Sequence, residues 1–250
     1  MVATNLDGGR PDGVPIASAD VLERAAAAAE QKPFTPPRDR QWIYMEDRIA
    51  FKDGSVETRR QWRRADGAGM AWIGENGRLH VELVRAVPRH GRPAPLLFDG
   101  YEQLAALPTD PDALLRWAYA EAENITGAGL TEHGDVYGIF NAMLGGNILP
   151  PDLEAAIFRA LKRVPGVERH ELEVLGRPAY SLGQTEDWLH EELLIDRETY
   201  TYLGERSTIA RDATIDPLKA GNATGEVRRG DKVVAERLET ATVDRPGERP

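Results

Sequence analysis

The hydrophobic and polar positions divide the chain into three blocks: strands, then helices, then strands. The densest strand signal runs from Glu168 to Arg206. There Leu172 and Val174 alternate with Glu171 and Glu173, the period of two that marks a half-solvated strand. Leu175-Gly176-Arg177-Pro178 interrupts this run, and Ala179–Leu182 resumes it, so the pattern predicts a hairpin. Glu192–Ile195 follows, then a break at Asp196-Arg197-Glu198, then Thr199–Leu203, rich in the β-branched and aromatic residues that suit a pleated surface.

The first block repeats this grammar. In Gln41–Phe51, Ile43, Met45, Ile49 and Phe51 share one parity, and Trp42 and Tyr44 share the other. Asp53-Gly54 signals a turn, and the chain returns through Val56–Arg64, with Arg60, Trp62 and Arg64 on one face and Arg59, Gln61 and Arg63 on the other. Ala65-Asp66-Gly67 and Glu75-Asn76-Gly77 turn again around Gly69–Gly74 and Arg78–Val87, which predicts a meander of consecutive strands.

The period changes between the blocks. Asp99–Leu107 reads as a short helix. Thr109 or Asp110 caps a second, with Pro111 at its first position and Leu114, Leu115, Trp117, Ala118, Ala122 and Ile125 as its apolar set, stopped by Gly127 and Gly129. Thr131 opens a third, closed by Gly145-Gly146, and Pro150-Pro151 starts a fourth, stopped by Pro165-Gly166. Before the first strand, Ser18 or Asp20 caps an alanine-rich helix through Glu30. Residues 211–225 read as a long loop, and residues 228–243 as a last strand that turns at Arg229-Gly230-Asp231.

Strands, helices and strands without βαβ alternation imply an α+β fold. The expected architecture is a curved, half-barrel-like antiparallel sheet of about seven to nine strands, with a central helical insertion packed on one face. One domain spans residues 18–243, with strands over 41–87, helices over 99–164 and strands over 168–243. Residues 1–17 read as a flexible Gly/Pro/Asp leader, and residues 244–250 as a flexible tail.

Composition narrows the function classes. The 250 residues include no Cys, which removes disulfides and thiolate chemistry but leaves the compartment open. A formal charge of −10 disfavours nucleic acid and anionic lipid surfaces as partners. No apolar run approaches the ~20 residues of a membrane span.

Candidate chemistry is sparse. His190-Glu191-Glu192-Leu193-Leu194 begins like a zinc-helix motif, but Leu194 stands where the second His belongs. Glu132, His133 and Asp135 gather at a helix start, where carboxylates serve the helix dipole. No nucleophile elbow or phosphate-binding glycine loop is present. The reading is therefore no catalytic residues, no metal and no cofactor. The aromatic side chains carry more. Trp42, Tyr44, Trp62 and Trp72 lie on neighbouring strands, and Trp117, Tyr137 and Phe140 on the helices. These seven are the candidate ligand-binding residues, lining a space between sheet and helices, with plain core packing as the alternative.

Several segments also carry a resemblance: the alanine-rich helix followed by QWIYMEDRIAF, then TRRQWRRADGAGMAWIG, GRPAYSL with EELLIDRETYTYLGE, and the closing ATVDRPGERP. Together they resemble an uncharacterised actinobacterial family of membrane-anchored proteins associated with extracytoplasmic-function sigma factors. The strand–helix–strand order is also similar to the half-barrels of LolA- and RseB-type proteins. The Leu194–Thr199 turn is like that fold's I-D-P-x-T turn, with Arg197 where Pro is usual. The resemblance implies an extracytoplasmic domain, tethered through an N-terminal anchor that is missing from this sequence.

The function these readings support is a non-enzymatic binding or sensing module, holding a lipid-like ligand or a partner segment in an apolar groove. Two other classes stand beside it. One is a small-molecule enzyme using His133, Asp135 or His190. The other is a structural adaptor binding through Arg59, Arg60, Arg63 and Arg64. The oligomeric state is unknown.

Overall fold

The computed structural model describes residues 17–74, 76–83, 100–123, 131–214 and 225–250. In chain order the elements are α1 (Ser18–Glu30), β1 (Trp42–Phe51), β2 (Val56–Arg64), β3 (Met70–Ile73), β4 (Leu79–Glu82), α2 (Tyr101–Ala105), α3 (Pro111–Ala122), α4 (Glu132–Gly146), α5 (Pro151–Leu161), β5 (Glu168–Val174), β6 (Arg177–Glu186), β7 (Leu189–Asp196), β8 (Tyr202–Ile209), β9 (Ala213–Thr214), β10 (Glu226–Val227) and β11 (Lys232–Val243). The fold is α+β. Nine strands form one antiparallel sheet in the order β4-β3-β2-β1-β11-β8-β7-β6-β5, and β9 and β10 pair as a separate ribbon.

The sheet is thus two meanders joined by the strand that comes last in the chain. β1–β4 run outward on one side and β8–β5 on the other, with β11 between β1 and β8. Short turns fix the registers. Leu175 and Gly176 take φ of 48° and 88°, so the β5–β6 hairpin closes on two residues and β6 begins at Arg177, earlier than the pattern predicts. Conversely, β8 begins only at Tyr202. The Asp196 Oδ1 accepts the amides of Glu198 and Thr199, both at 2.9 Å, and Tyr200 sits at φ 58°, so Thr199–Thr201 belong to a turn.

The helices follow their caps. Asp110 accepts from the Ala113 amide at 2.8 Å with Pro111 at the first helical position, and Thr131 accepts from the Gly134 amide at 3.3 Å. α1 starts at Ser18 with Ala17 at its N-cap position and no side-chain cap; packing carries it instead. Val21, Leu22, Ala25, Ala26 and Ala29 are buried, and the short alanines let α1 lie close against α5. Arg159 of α5 and Lys162 at its C-cap pair with Glu23 at 3.0 and 2.7 Å, exposed contacts of small energetic weight. The positions 84–87, Ile125, Gly127 and Gly129 of the sequence reading lie outside the described residues.

The main core joins all five helices to the β6–β7 part of the sheet. Tyr180, Leu182, Leu193 and Ile195 supply the sheet side, and Phe140, Met143, Ile157 and Phe158 are among the helical residues. On the opposite face, Val174, Ala179, Leu194 and Leu203 form a second cluster, in alternation with the first. A third cluster, Trp42, Tyr44, Trp62, Ala71 and Val243, sits in the β1–β3 half. The segment after Val243, read from sequence as a flexible tail, crosses this cluster: Trp62 Nε1 donates to the Glu248 carbonyl at 2.7 Å, and Arg249 contacts Glu46 at 2.9 Å.

Candidate functional site

The sheet parts along one line. β11 pairs with β1 from Trp42↔Val243 to Phe51↔Val233, with a register shift that leaves Leu238 out of the ladder. With β8 it pairs only from Lys232↔Thr208 to Glu236↔Gly204. At the neck the strands press together. Gly204 has φ 149°, and a Cβ there would overlap the Ala235 carbonyl oxygen, so only glycine fits. Beyond the neck, Leu238–Thr242 diverge from Thr201–Leu203, and Lys32–Pro36 cross the opening. The cavity so formed measures about 690 Å³, with Phe34, Ile148, Tyr202 and Leu238 as apolar lining and Lys32, Arg237, Thr240 and Thr242 as polar lining. A smaller cavity of about 170 Å³ adjoins it under α1, lined by Ala25, Ala29, Leu144 and Asn147 and sharing Lys32, Tyr202 and Arg237.

Ion pairs hold the neck from both faces. On one face Arg237 Nε bonds Asp47 at 2.7 Å and its guanidinium also donates to the Gly145 carbonyl at the end of α4. Arg59 contacts the same Asp47 at 3.3 Å. On the other face Glu236, 1% exposed, takes Arg48 at 2.8 Å through Nε and Arg177 at 3.5 Å, while Arg177 also reaches Asp196 at 2.6 Å. Each arginine is committed to an internal carboxylate, and buried pairs of this kind are costly to break from one side.

The two glutamates at 191 and 192 lie on opposite faces of β7 and behave in opposite ways. Burial works to raise Glu192, but hydrogen bonds with His190, Arg206 and Ser181 prevail and hold it at about 2. Ser181 Oγ donates to Glu192 at 2.7 Å and the Arg206 guanidinium makes two contacts with it. Glu191 faces α4. Loss of water, then the nearby Glu205 carboxylate, push it up to about 7. Glu205 is raised too, by burial first, with Arg59 and Arg237 opposing. Asn141 of α4 donates to Glu205 Oε2 at 3.3 Å, while its Oδ1 is buried with no partner. Burial raises Tyr202, beside this pair, well above the ordinary tyrosine range.

The structure separates the seven aromatic candidates. Trp42, Tyr44 and Trp62 meet in the third cluster, with Tyr44 and Trp62 rings 5.3 Å apart, and the chain end covers Trp62. Trp72 pairs across the strands with Gln61, on the other face, and stacks on His80 at 5.5 Å. Tyr137 and Phe140 are buried in the helical core, and Trp117 packs against that core as a partly buried residue. Tyr137 Oη accepts from the Leu193 amide at 2.8 Å and donates to the Leu182 carbonyl at 2.5 Å. These rings fall into separate clusters of the core. None of the seven lines either of the two cavities at the neck. The cavity residues Phe34, Ile148, Tyr202 and Leu238 were missed in the sequence because the strand divergence that exposes them is set by non-local pairing.

The other candidates have local roles. His133 Nδ1 lies 2.8 Å from Tyr119 Oη, and His190 Nδ1 lies 2.7 Å from Thr185 Oγ1. Asp135 falls in the first turn of α4. Among the described residues no group of three or more His, Cys, Asp or Glu could hold a metal ion. Arg59, Arg60 and Arg64 pair with Asp47, Glu46 and Asp66, and Arg63 donates to the Gly146 carbonyl at 3.0 Å, so this strand braces the fold.

No family model matches the chain, and no curated protein matches it. Solved structures similar to it at low identity include the following three. MucB in complex with MucA(peri) is 16% identical, covering 93% of this chain and 57% of that one, with a TM-score of 0.26. A LolA superfamily protein from Nitrosomonas europaea is 13% identical over 93% of this chain and 96% of its own, with a TM-score of 0.24. A DUF1329 family protein from Desulfovibrio piger is 13% identical over 90% of this chain and 93% of its own, with a TM-score of 0.25. This chain thus spans little more than half of the MucB chain, and none of these likenesses assigns it to a family.

Proposed function

We propose that the protein is a non-enzymatic binding module that takes an extended amphiphilic ligand, a lipid-like molecule or a partner segment, in the groove between β8 and β11. The cavity of about 690 Å³ at the neck carries this reading. Its size falls within the range of small-molecule sites, and its lining sets apolar side chains among a larger number of polar ones, which suits an amphiphilic ligand. Phe34, Ile148 and Leu238 offer apolar contact, and Thr240, Thr242 and Lys32 offer polar contact at the rim. Leu238 is 47% exposed, an unfilled apolar position that a ligand would cover.

The proposed setting is outside the cytoplasmic membrane, following the resemblance of the sequence to anchored extracytoplasmic proteins. No helix among the described residues is long and apolar enough to cross a membrane.

The test is native mass spectrometry and thermal shift against fatty acids, lysolipids and apolar peptides. A ligand at a hundredfold its dissociation constant stabilises the fold by about 2.7 kcal/mol, a readily measured rise in Tm. Ile148→Trp and Leu238→Asp, which fill or charge the groove, are expected to abolish that rise while leaving the unliganded Tm within a few degrees. If no ligand shifts Tm, or if these variants leave binding intact, the groove reading fails.

A further inference from the structure

α4 lays an unusual stripe on the sheet. Gly134, Gly138, Asn141 and Gly145 recur at helical spacing along one face. Each meets an acid from successive strands. A Cβ on Gly134 would lie 2.5 Å from the Glu186 side chain on β6. One on Gly138 would lie 3.8 Å from Glu191 Oε2 on β7. One on Gly145 would lie 3.0 Å from Tyr202 Oη and 3.4 Å from Glu205 Oε2 on β8. The absent side chains let the carboxyls fit directly beneath the helix.

Glu186 is satisfied there by Thr131 Oγ1 at 2.6 Å and Gln184 Nε2 at 3.0 Å. Glu191 and Glu205, both half-buried, have fewer protein partners. Among the described residues no hydrogen bond to the Glu191 carboxyl is present, and Glu205 has only the 3.3 Å contact from Asn141. Asn141 in turn holds a buried Oδ1 with no donor. A protonated Glu205 gains a second arrangement there: with the amide turned, its O–H donates to Oδ1.

We propose that α4 and these two glutamates form a pH-dependent latch, closed when Glu191 and Glu205 are protonated and loosened when both are charged, so that pH controls the wall of the groove. The last turn of α4 and the residues after it, Leu144, Asn147 and Ile148, line the two cavities, which is how the latch reaches the groove. That coupling rests on the binding reading above; the latch itself does not.

The surrounding charges set the range. From β7, His190 favours the charged form of Glu191. From β8, Glu205 disfavours it. Facing Glu205, Arg59 of β2 and Arg237 of β11 favour its charged form, and Asp47 of β1 disfavours it. From α4, Tyr137 is neutral, its hydroxyl engaged by the backbone. Burial pushes Glu191 to about 7 and raises Glu205, against a usual value of 4.5. A carboxyl raised in the folded state contributes stability that is complete below its unfolded value and is lost as pH rises through its folded one. The latch therefore weakens upward through neutrality.

Hydrogen exchange of the full chain, corrected for intrinsic rates, tests this between about pH 5.5 and pH 8.5. Amides of α4 are expected to open about tenfold more readily at the upper pH relative to those of α5, the ratio that corresponds to one unit of pKa shift. Glu191→Gln, which keeps the neutral shape, is expected to flatten that dependence, and the E191Q/E205Q pair to remove it. Should the variants fold poorly, carbon NMR titration of the unmodified protein decides: Glu191 titrating near its usual value overturns the latch. So does an α4 protection that is flat with pH, or one that E191Q leaves unchanged. Binding of 1-anilinonaphthalene-8-sulfonate over the same range reads the groove separately. Increased binding with pH supports the coupling, while dye binding independent of pH beside a pH-dependent α4 overturns the coupling alone.

Discussion

Asn141 of α4 and Glu205 of β8 meet through Nδ2 and Oε2 at 3.3 Å, on the surface where helix and sheet join, and the other end of the same amide is left without a partner. Asn141→Asp places a third carboxyl beside Glu191 and Glu205. It is expected to destabilise the fold by about 1–3 kcal/mol, and by more at pH 8 than at pH 5, because the added charge is tolerated only while its neighbours are protonated. Thermal melts at the two pH values check this; an equal loss at both would refute it.

Glu192 predicts the opposite limb of the pH profile. Its carboxyl is held at about 2 by His190, Arg206 and Ser181 against a burial that works to raise it. A carboxyl depressed in the folded state stabilises fully above its unfolded value of 4.5, and that contribution disappears as pH falls toward 2. The contribution is on the order of 3 kcal/mol. Urea midpoints of the unmodified protein should therefore drop between about pH 4.5 and pH 2. Glu192→Gln should lose stability at pH 7 and show a shallower acid limb.

Gly204→Ala tests the neck. The substitution drives a Cβ into the Ala235 carbonyl and forces a side chain onto a φ of 149°. A loss of about 3 kcal/mol or more is expected, with exchange rising first in the amides of β8 and β11. A cost below about 1 kcal/mol would mean that the strands do not press together there.

Trp62→Phe tests the closing segment. It keeps most of the ring in the cluster with Tyr44 and removes the donor to the Glu248 carbonyl. The expected cost is about 1–2 kcal/mol, with faster exchange in residues 244–249. Unchanged exchange in that segment would show that the hydrogen bond does not hold it.

Much of this fold was legible in local patterns. The Asp110-Pro111 start of α3, the Thr131 cap of α4 and the alternating strands all rest on interactions within a few residues. Parity put Trp42 and Tyr44 on one face of their strand, but parity cannot say which face the helices cover, and these two rings lie with Trp62 in a cluster apart from the helical core, without Trp72. The groove was not legible because it arises where β11 stops pairing with β8, and that register is a long-range property. The acid pair was hidden for another reason. Nothing local sets Glu191 and Glu205 apart from the other acids of these strands, since glutamate is rarely enclosed, and it is the glycines of α4 that let a helix lie over them.

The placement of β11 between two meanders also governs how the molecule is made. β1 and β8, its eventual neighbours, are separated in the chain by the other strands and all the later helices. Each meander can assemble as it emerges from the ribosome, yet each keeps one bare edge until Lys232–Val243 has been synthesised. Between the synthesis of β8 and that of β11 the nascent protein is two half-sheets with open seams, and a single late segment welds them. Chaperone engagement and misassembly are thus expected to concentrate on stalled or truncated chains that end before residue 232, and productive folding to wait on that final insertion.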